Sequence, residues 1–174
     1  MSLVVVGIGD CRVSADPRET LITYALGSCI AVMVHDPVNQ VGGLLHYMLP
    51  HSSLNADRAR SHPAVFGDTG MEMLIQMLLR KGGQLNRMVI RAAGGAQVMD
   101  EGGVFNIGKR NQLILRKHLW SRGLMVSGEE TGGTLARTVR MEVGSGRAFL
   151  RAGHNPEREW VLARRPAGST GGAQ

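Results

Sequence analysis

Cys29 and His46 are the residues best equipped for covalent chemistry. Cys29 closes the run Thr23-Tyr24-Ala25-Leu26-Gly27-Ser28-Cys29, and His46 lies in Gly43-Leu44-Leu45-His46-Tyr47-Met48-Leu49-Pro50. A thiol attacks as its thiolate, and at an ordinary pKa of about 8.5 only a few per cent is ionised at neutral pH, so a partner base is required. His46 can be that base. Gly27 and Ser28 form a turn ahead of the thiol, where glycine permits close approach and backbone N–H groups can face a developing oxyanion. An imidazole that serves as base also needs a third group to orient it, and the Thr23 hydroxyl, on the segment entering the turn, can do so. Each residue has a plainer reading as well. Cys29 reads as a small buried hydrophobe, His46 as a satisfied core histidine and Thr23 as an ordinary strand threonine.

These residues need strands to hold them. Cys29 to Val34 is apolar throughout, the pattern of a strand buried on both faces. Asp36-Pro37-Val38-Asn39-Gln40 carries hairpin turn residues, and Val41 to Met48 returns as an antiparallel partner. That hairpin puts Cys29 and His46 near the open ends of adjacent strands, where they could be neighbours in space. Leu3 to Gly9 and Thr20 to Leu26 read as earlier strands. Residues 51–66 are polar and read as a mobile surface loop. Asp68 is placed to cap a helix running to Lys81, with Met71, Leu74, Ile75 and Leu78 at helical spacing and Gly82-Gly83 ending it. Met88 to Ala93 reads as a strand before the turn Gly94-Gly95-Ala96. Ile107 to Arg122 is a second helix, with Leu113, Ile114, Trp120 and the Lys117 stem as its apolar stripe. Leu124 to Ser127 is a short strand, Glu129 to Gly133 a flexible turn, Thr138 to Val143 a half-exposed strand, and Gly144-Ser145-Gly146 the turn into Arg147 to Arg151. Residues 1–163 form one domain, and 164–174 cannot pack and read as a disordered tail. The class is α/β and mostly antiparallel, with sheet layers flanked by two main helices.

Bulk properties narrow the function. The chain has 174 residues, 43% hydrophobic and 20% charged, enough for a core without staples. Aromatics are scarce at 4%, and the 10 methionines fill core space in their stead. No run of apolar residues is long enough to span a bilayer, and no basic-then-apolar leader opens the chain, which points to a cytoplasmic protein with free thiols. The net charge of +6 favours acidic partners, but basic residues such as Arg58, Arg80, Arg116 and Arg140 are dispersed and lack interleaved aromatics, which argues against nucleic acid. Cys11 reads as structural, and His35, before the Asp36-Pro37 turn, as solvated. No two of His35, His46 and His51 have zinc-motif spacing, so neither a metal nor another cofactor is expected.

The combination Thr23-x-x-Leu26-Gly27-Ser28-Cys29 and Gly43-x-x-His46-x-Met48-Leu49-Pro50 resembles the chemoreceptor glutamine deamidases, the CheD family. Ala93-Gly94-Gly95-Ala96, Asn106-Ile107-Gly108-x-Arg110-Asn111 and Thr131-Gly132-Gly133 with Arg137 follow in the same order. Two departures are Glu130 and Ala136, where aspartate and glycine are common. The resemblance implies a fold similar to glutamine-deamidating toxin domains, a Cys29–His46 pair completed by Thr23, and oxyanion support around Gly27 and Ser28. It also implies glutamine side chains of methyl-accepting chemotaxis receptors as substrate, hydrolysed through a cysteine thioester, and a CheC-type response-regulator phosphatase as a further partner. The rival from another class is a non-catalytic adaptor that binds a chemotaxis signalling protein, with Cys29 and His46 as packing.

Overall fold

The computed structural model describes residues 1–97 and 105–162; the tail expected over 164–174 lies outside them. Two five-stranded sheets are stacked face to face. The first has the order β1 (Ser2–Val5), β3 (Glu19–Leu26), β8 (Arg137–Glu142), β9 (Ala148–Ala152), β10 (Arg158–Glu159). The second runs β2 (Asp10–Ser14), β5 (Val41–Tyr47), β4 (Ile30–Asp36), β6 (Val89–Gly94), β7 (Gly128–Thr131). The pairs β1–β3 and β6–β7 are parallel and the others antiparallel. Helices α2 (Gly67–Arg80) and α3 (Ile107–Ser121) cover the outer face of the second sheet, making an α/β layered protein.

The apolar run after Cys29 becomes β4, which is buried along its whole length. The reason is its place in the stack. Ile30, Val32 and Val34 face the helices together with Leu74, Leu78 and Leu115, whereas Ala31 and Met33 face the first sheet with Leu21, Val139 and Met141. Each buried Leu or Ile contributes about 1.5–3 kcal/mol relative to exposure. The turn back into β5 is built on Asp36, whose carboxylate accepts from the Val38 and Asn39 amides and from Arg87.

Several boundaries differ from the sequence reading. Asp10–Ser14 is a strand because it pairs with β5 in register, Cys11 opposite Leu45. Phe66, not Asp68, occupies the cap position of α2; the Asp68 carboxylate instead accepts from the Ser52 amide at 2.9 Å and its hydroxyl at 2.8 Å. Residues 51–66 fold into 3₁₀ turns and the short helix α1 (Ala56–Ser61), with Ala64, Val65 and Phe66 buried. On α3 the inward stripe is Gly108, Asn111, Ile114, Leu115 and Leu119, leaving Leu113 56% and Trp120 77% exposed. The strand expected at Leu124–Ser127 falls instead on Gly128–Thr131, where parallel pairing with β6 overrides the turn-like sequence; Leu124 and Val126 pack against the helical side of the core on the way.

Candidate active site

The site forms where the chain crosses from one sheet to the other. Thr23 sits on β3, paired with Val139, and its side chain points into the sandwich. After Thr23 the pairing slips, with Ala25 at φ 53°, so the strand bulges and releases Gly27-Ser28-Cys29 toward the second sheet. Cys29 immediately precedes β4. Ala31 lies opposite His46 in the β4–β5 register, and residues two apart on a strand share a face. Cys29, which packs against the inward-facing cluster, therefore stands diagonally from His46 in the extended register. The hairpin expected from the sequence forms, paired from Ile30 opposite Tyr47 to Asp36 opposite Val41.

Thr23 and His46 meet across the sheets. The Thr23 hydroxyl lies 2.7 Å from His46 Nδ1 and 2.6 Å from the Val6 carbonyl oxygen, and both side chains are 1% exposed. The hydroxyl has one proton, and the carbonyl can only accept, so that proton goes to Val6. Oγ1 must then accept from Nδ1–H, which leaves Nε2 as the bare, basic nitrogen of the neutral ring. Nε2 is buried and has no hydrogen-bond partner among the described residues. A buried nitrogen with a free lone pair is chemically able to accept a proton.

Burial sets the protonation state. It lowers His46 from its usual 6.5 to about 4. It also raises the Cys29 thiol, an effect opposed by the residue's own backbone N–H. Both shifts favour a neutral thiol and a neutral imidazole in the free site. Cys11 is different: buried on β2 beside the Asp10 charge, its thiol is pushed up to about 12. It has no part in the site.

The turn carrying the thiol is held from behind. The Gly27 carbonyl accepts from Ala96 N–H at 2.8 Å and the Cys29 carbonyl from Gly95 N–H at 2.8 Å. Gly94, at φ 112°, comes so close that a Cβ there would overlap the Cys29 carbonyl oxygen. Among the described residues, no other residue accepts from the amides of Gly27, Ser28 or Cys29.

Sequence reasoning missed Val6 and the side chain of Asn111, which donates to the carbonyls of Ser28 and Met48. Val6 acts through its main chain, which no residue type signals; Asn111 stood in the Asn106–Asn111 run as a polar residue on an otherwise apolar helix face. His35 is corrected: it is buried, with Nε2 2.7 Å from the Val143 carbonyl, at the opposite end of β4 from the site. Among the described residues, no three His, Cys, Asp or Glu side chains cluster as metal ligands. Of the two departures, Glu130 accepts from Arg158 at 2.6 Å.

The family model described as CheD chemotactic sensory transduction matches residues 48–152, a stretch that begins beyond Thr23, Cys29 and His46. A probable chemoreceptor glutamine deamidase of Solibacter usitatus is 49% identical over 150 residues, covering 86% of this chain and 89% of the relative. One of Syntrophus aciditrophicus is 45% identical, covering 91% and 99%. The chemoreceptor glutamine deamidase of Thermotoga maritima is 37% identical, covering 84% and 90%. With a family match over more than half of its length and relatives this similar along nearly all of theirs, the chain belongs to the CheD family.

Proposed function

We propose that this protein hydrolyses the side-chain carboxamide of glutamines on chemoreceptor helices to glutamate, with Cys29 as nucleophile, His46 as acid and base, and Thr23 as the group that orients His46. The observation that carries the reading is the buried, unpartnered Nε2 of His46, left basic by the Thr23–Val6 hydrogen bonds and set diagonally from the Cys29 thiol. The substrate class comes from the names of its relatives.

In the first half-reaction the thiol proton moves to His46 Nε2 as sulfur bonds to the carboxamide carbon. The carbonyl oxygen becomes an oxyanion facing the Ser28 and Cys29 amides. As the tetrahedral species collapses, the C–N bond breaks and His46 returns the proton to nitrogen, releasing ammonia and leaving a thioester. In the second, water gives a proton to Nε2 and its oxygen attacks the thioester. The S–C bond then breaks, and sulfur recovers the proton from His46. Every proton is shuttled by one imidazole, which explains why one orientation must be enforced.

Much of the positive charge is neutralised locally, by Arg87–Asp36, Arg116–Glu129, Arg140–Glu157, Arg147–Glu159 and Arg158–Glu130. This favours a protein surface over a nucleic acid as partner. The family resemblance extends the proposal to a CheC-type phosphatase as a binding partner, tested by co-purification with that protein. No helix among the described residues is long and apolar enough to cross a membrane.

The decisive test is Cys29→Ala on a purified receptor fragment, followed by mass spectrometry for the mass gain of about 1 Da that amide-to-acid conversion gives. The reading expects no conversion by the variant and conversion by the native protein; full conversion by the variant removes Cys29 as nucleophile. Iodoacetamide addresses the adaptor alternative. Cys29 should alkylate far faster than Cys11 at neutral pH, and addition of the receptor fragment should slow it.

A further inference from the structure

The three successive carbonyls of the nucleophile turn are all captured: Gly27 by Ala96 N–H, Ser28 by the Asn111 side chain at 2.9 Å, and Cys29 by Gly95 N–H. A trans peptide is planar, so the N–H of each residue points opposite to the carbonyl of the one before it. Holding the Gly27 carbonyl therefore aims the Ser28 amide, and holding the Ser28 carbonyl aims the Cys29 amide, away from the donors and toward the thiol side. Two of the three captures are made by backbone. The one that sets the Cys29 amide is made by a side chain, Asn111.

Asn111 is fully buried on the inward stripe of α3. Its Nδ2 also donates to the Met48 carbonyl at 2.9 Å, two residues beyond His46. Both partners are carbonyl oxygens, so the group facing them is the NH₂, and the assignment follows from chemistry. The residue is itself anchored, because its main-chain carbonyl accepts from the Tyr47 hydroxyl at 2.5 Å, next to His46 on β5. Gly108, one turn earlier, lets α3 come close enough: a Cβ there would sit 2.6 Å from the Gly95 carbonyl oxygen.

We propose that Asn111 is a positioning residue of the deamidation site, resting on the assignment of Cys29 as nucleophile made above. Through Ser28 it pre-aims the Cys29 amide at the oxyanion, and through Met48 it keeps the end of the His46 strand in step with the nucleophile turn. The role is specific to the transition state, since the oxyanion forms only as sulfur adds. Its loss should therefore lower kcat and leave substrate binding nearly untouched.

The test compares native protein with Asn111→Ala and Asn111→Asp, the latter similar in size but acceptor-only when ionised. Deamidation kinetics on a receptor fragment should show kcat reduced by at least about thirtyfold, with KM within about threefold of native, as expected when a preorganised donor is misaligned. A second readout uses a short peptide with an aldehyde in place of the carboxamide. Sulfur adds to the aldehyde carbon, and the thiol proton ends on the oxygen, which occupies the oxyanion position. Affinity for this peptide should fall in parallel with kcat, while affinity for the glutamate product peptide stays within about threefold. A folded variant with native kcat overturns the proposal, as does an equal loss of affinity for aldehyde and product, which marks a merely structural residue. If alanine and aspartate prevent folding, Asn111→Ser, which keeps one donor, is read by the same two criteria. Activity in Cys29→Ala would overturn the nucleophile assignment instead, so the two failures are distinguishable.

Discussion

Replacing Thr23 with valine isolates a single hydroxyl that serves two buried partners. Oγ1 accepts from His46 Nδ1–H at 2.7 Å and donates to Val6 at 2.6 Å, and valine supplies a methyl in its place. A buried donor or acceptor stripped of its partner costs about 1–3 kcal/mol. The His46 Nδ1–H loses its acceptor, and moving that proton to Nε2 only relocates an unpartnered donor while removing the base. Loss of the bond that held the active tautomer and its orientation, at about 1–3 kcal/mol, corresponds to a fall in turnover of about fivefold to 150-fold. The Val6 carbonyl loses its donor, and that penalty falls on stability. A loss of about 1 kcal/mol would lower the melting temperature by roughly 2–4 °C for a chain of this size. The strand propensity of valine alone predicts no change, so the structure revises that expectation. Thr23→Ser keeps both bonds and should retain most of the turnover. The assay is deamidation of a receptor fragment under saturating substrate, with thermal unfolding alongside. A folded Thr23→Val protein with native kcat would refute the argument and leave a Cys29–His46 dyad.

His46→Ala should be nearly as inactive as Cys29→Ala, and the double variant little worse than either, because groups acting as a unit are non-additive; rate defects that multiply would exclude a cooperating pair. Acid should destabilise the fold in a defined window. His46, lowered to about 4, and His35, also lowered by burial, bind fewer protons folded than unfolded, so their stability is intact above about pH 6.5 and is lost below it, for His46 as pH falls toward 4. The His46 share is on the order of 3 kcal/mol, and urea midpoints against pH should show a shallower decline in His46→Ala; an unchanged slope would rule out His46 as a contributor. The Asp36 carboxylate, held low by Arg87, acts only below that window. Gly94→Ala should be damaging beyond its size, by more than about 2 kcal/mol in unfolding, because it combines a left-handed backbone with a clash against the Cys29 carbonyl. Native stability in that variant would show that the turn can move aside.

The sequence alone determined the local parts of this protein. The unbroken apolar run of β4, the Asp36–Gln40 turn and the length of β5 pointed to a hairpin, which the structure forms. The period of Met71, Leu74, Ile75 and Leu78 likewise sufficed for α2. Where the apolar pattern was ambiguous, as on α3 with Leu113 and Trp120, only the packing partner decided which stripe turned inward. Gly128–Thr131 became a strand for the same reason: its pairing partner, β6, is distant in sequence and outweighs local turn preference. Tertiary structure alone decided the electrostatics of the site. That Thr23 reaches His46 depends on two sheets stacking, and that Nε2 is the basic nitrogen depends on the carbonyl of Val6, a main-chain atom brought there by a parallel edge strand. Side-chain chemistry can be read from residue types and short-range periodicity; hydrogen-bond direction and burial arise from contacts between distant segments, and these exist only once the chain has folded.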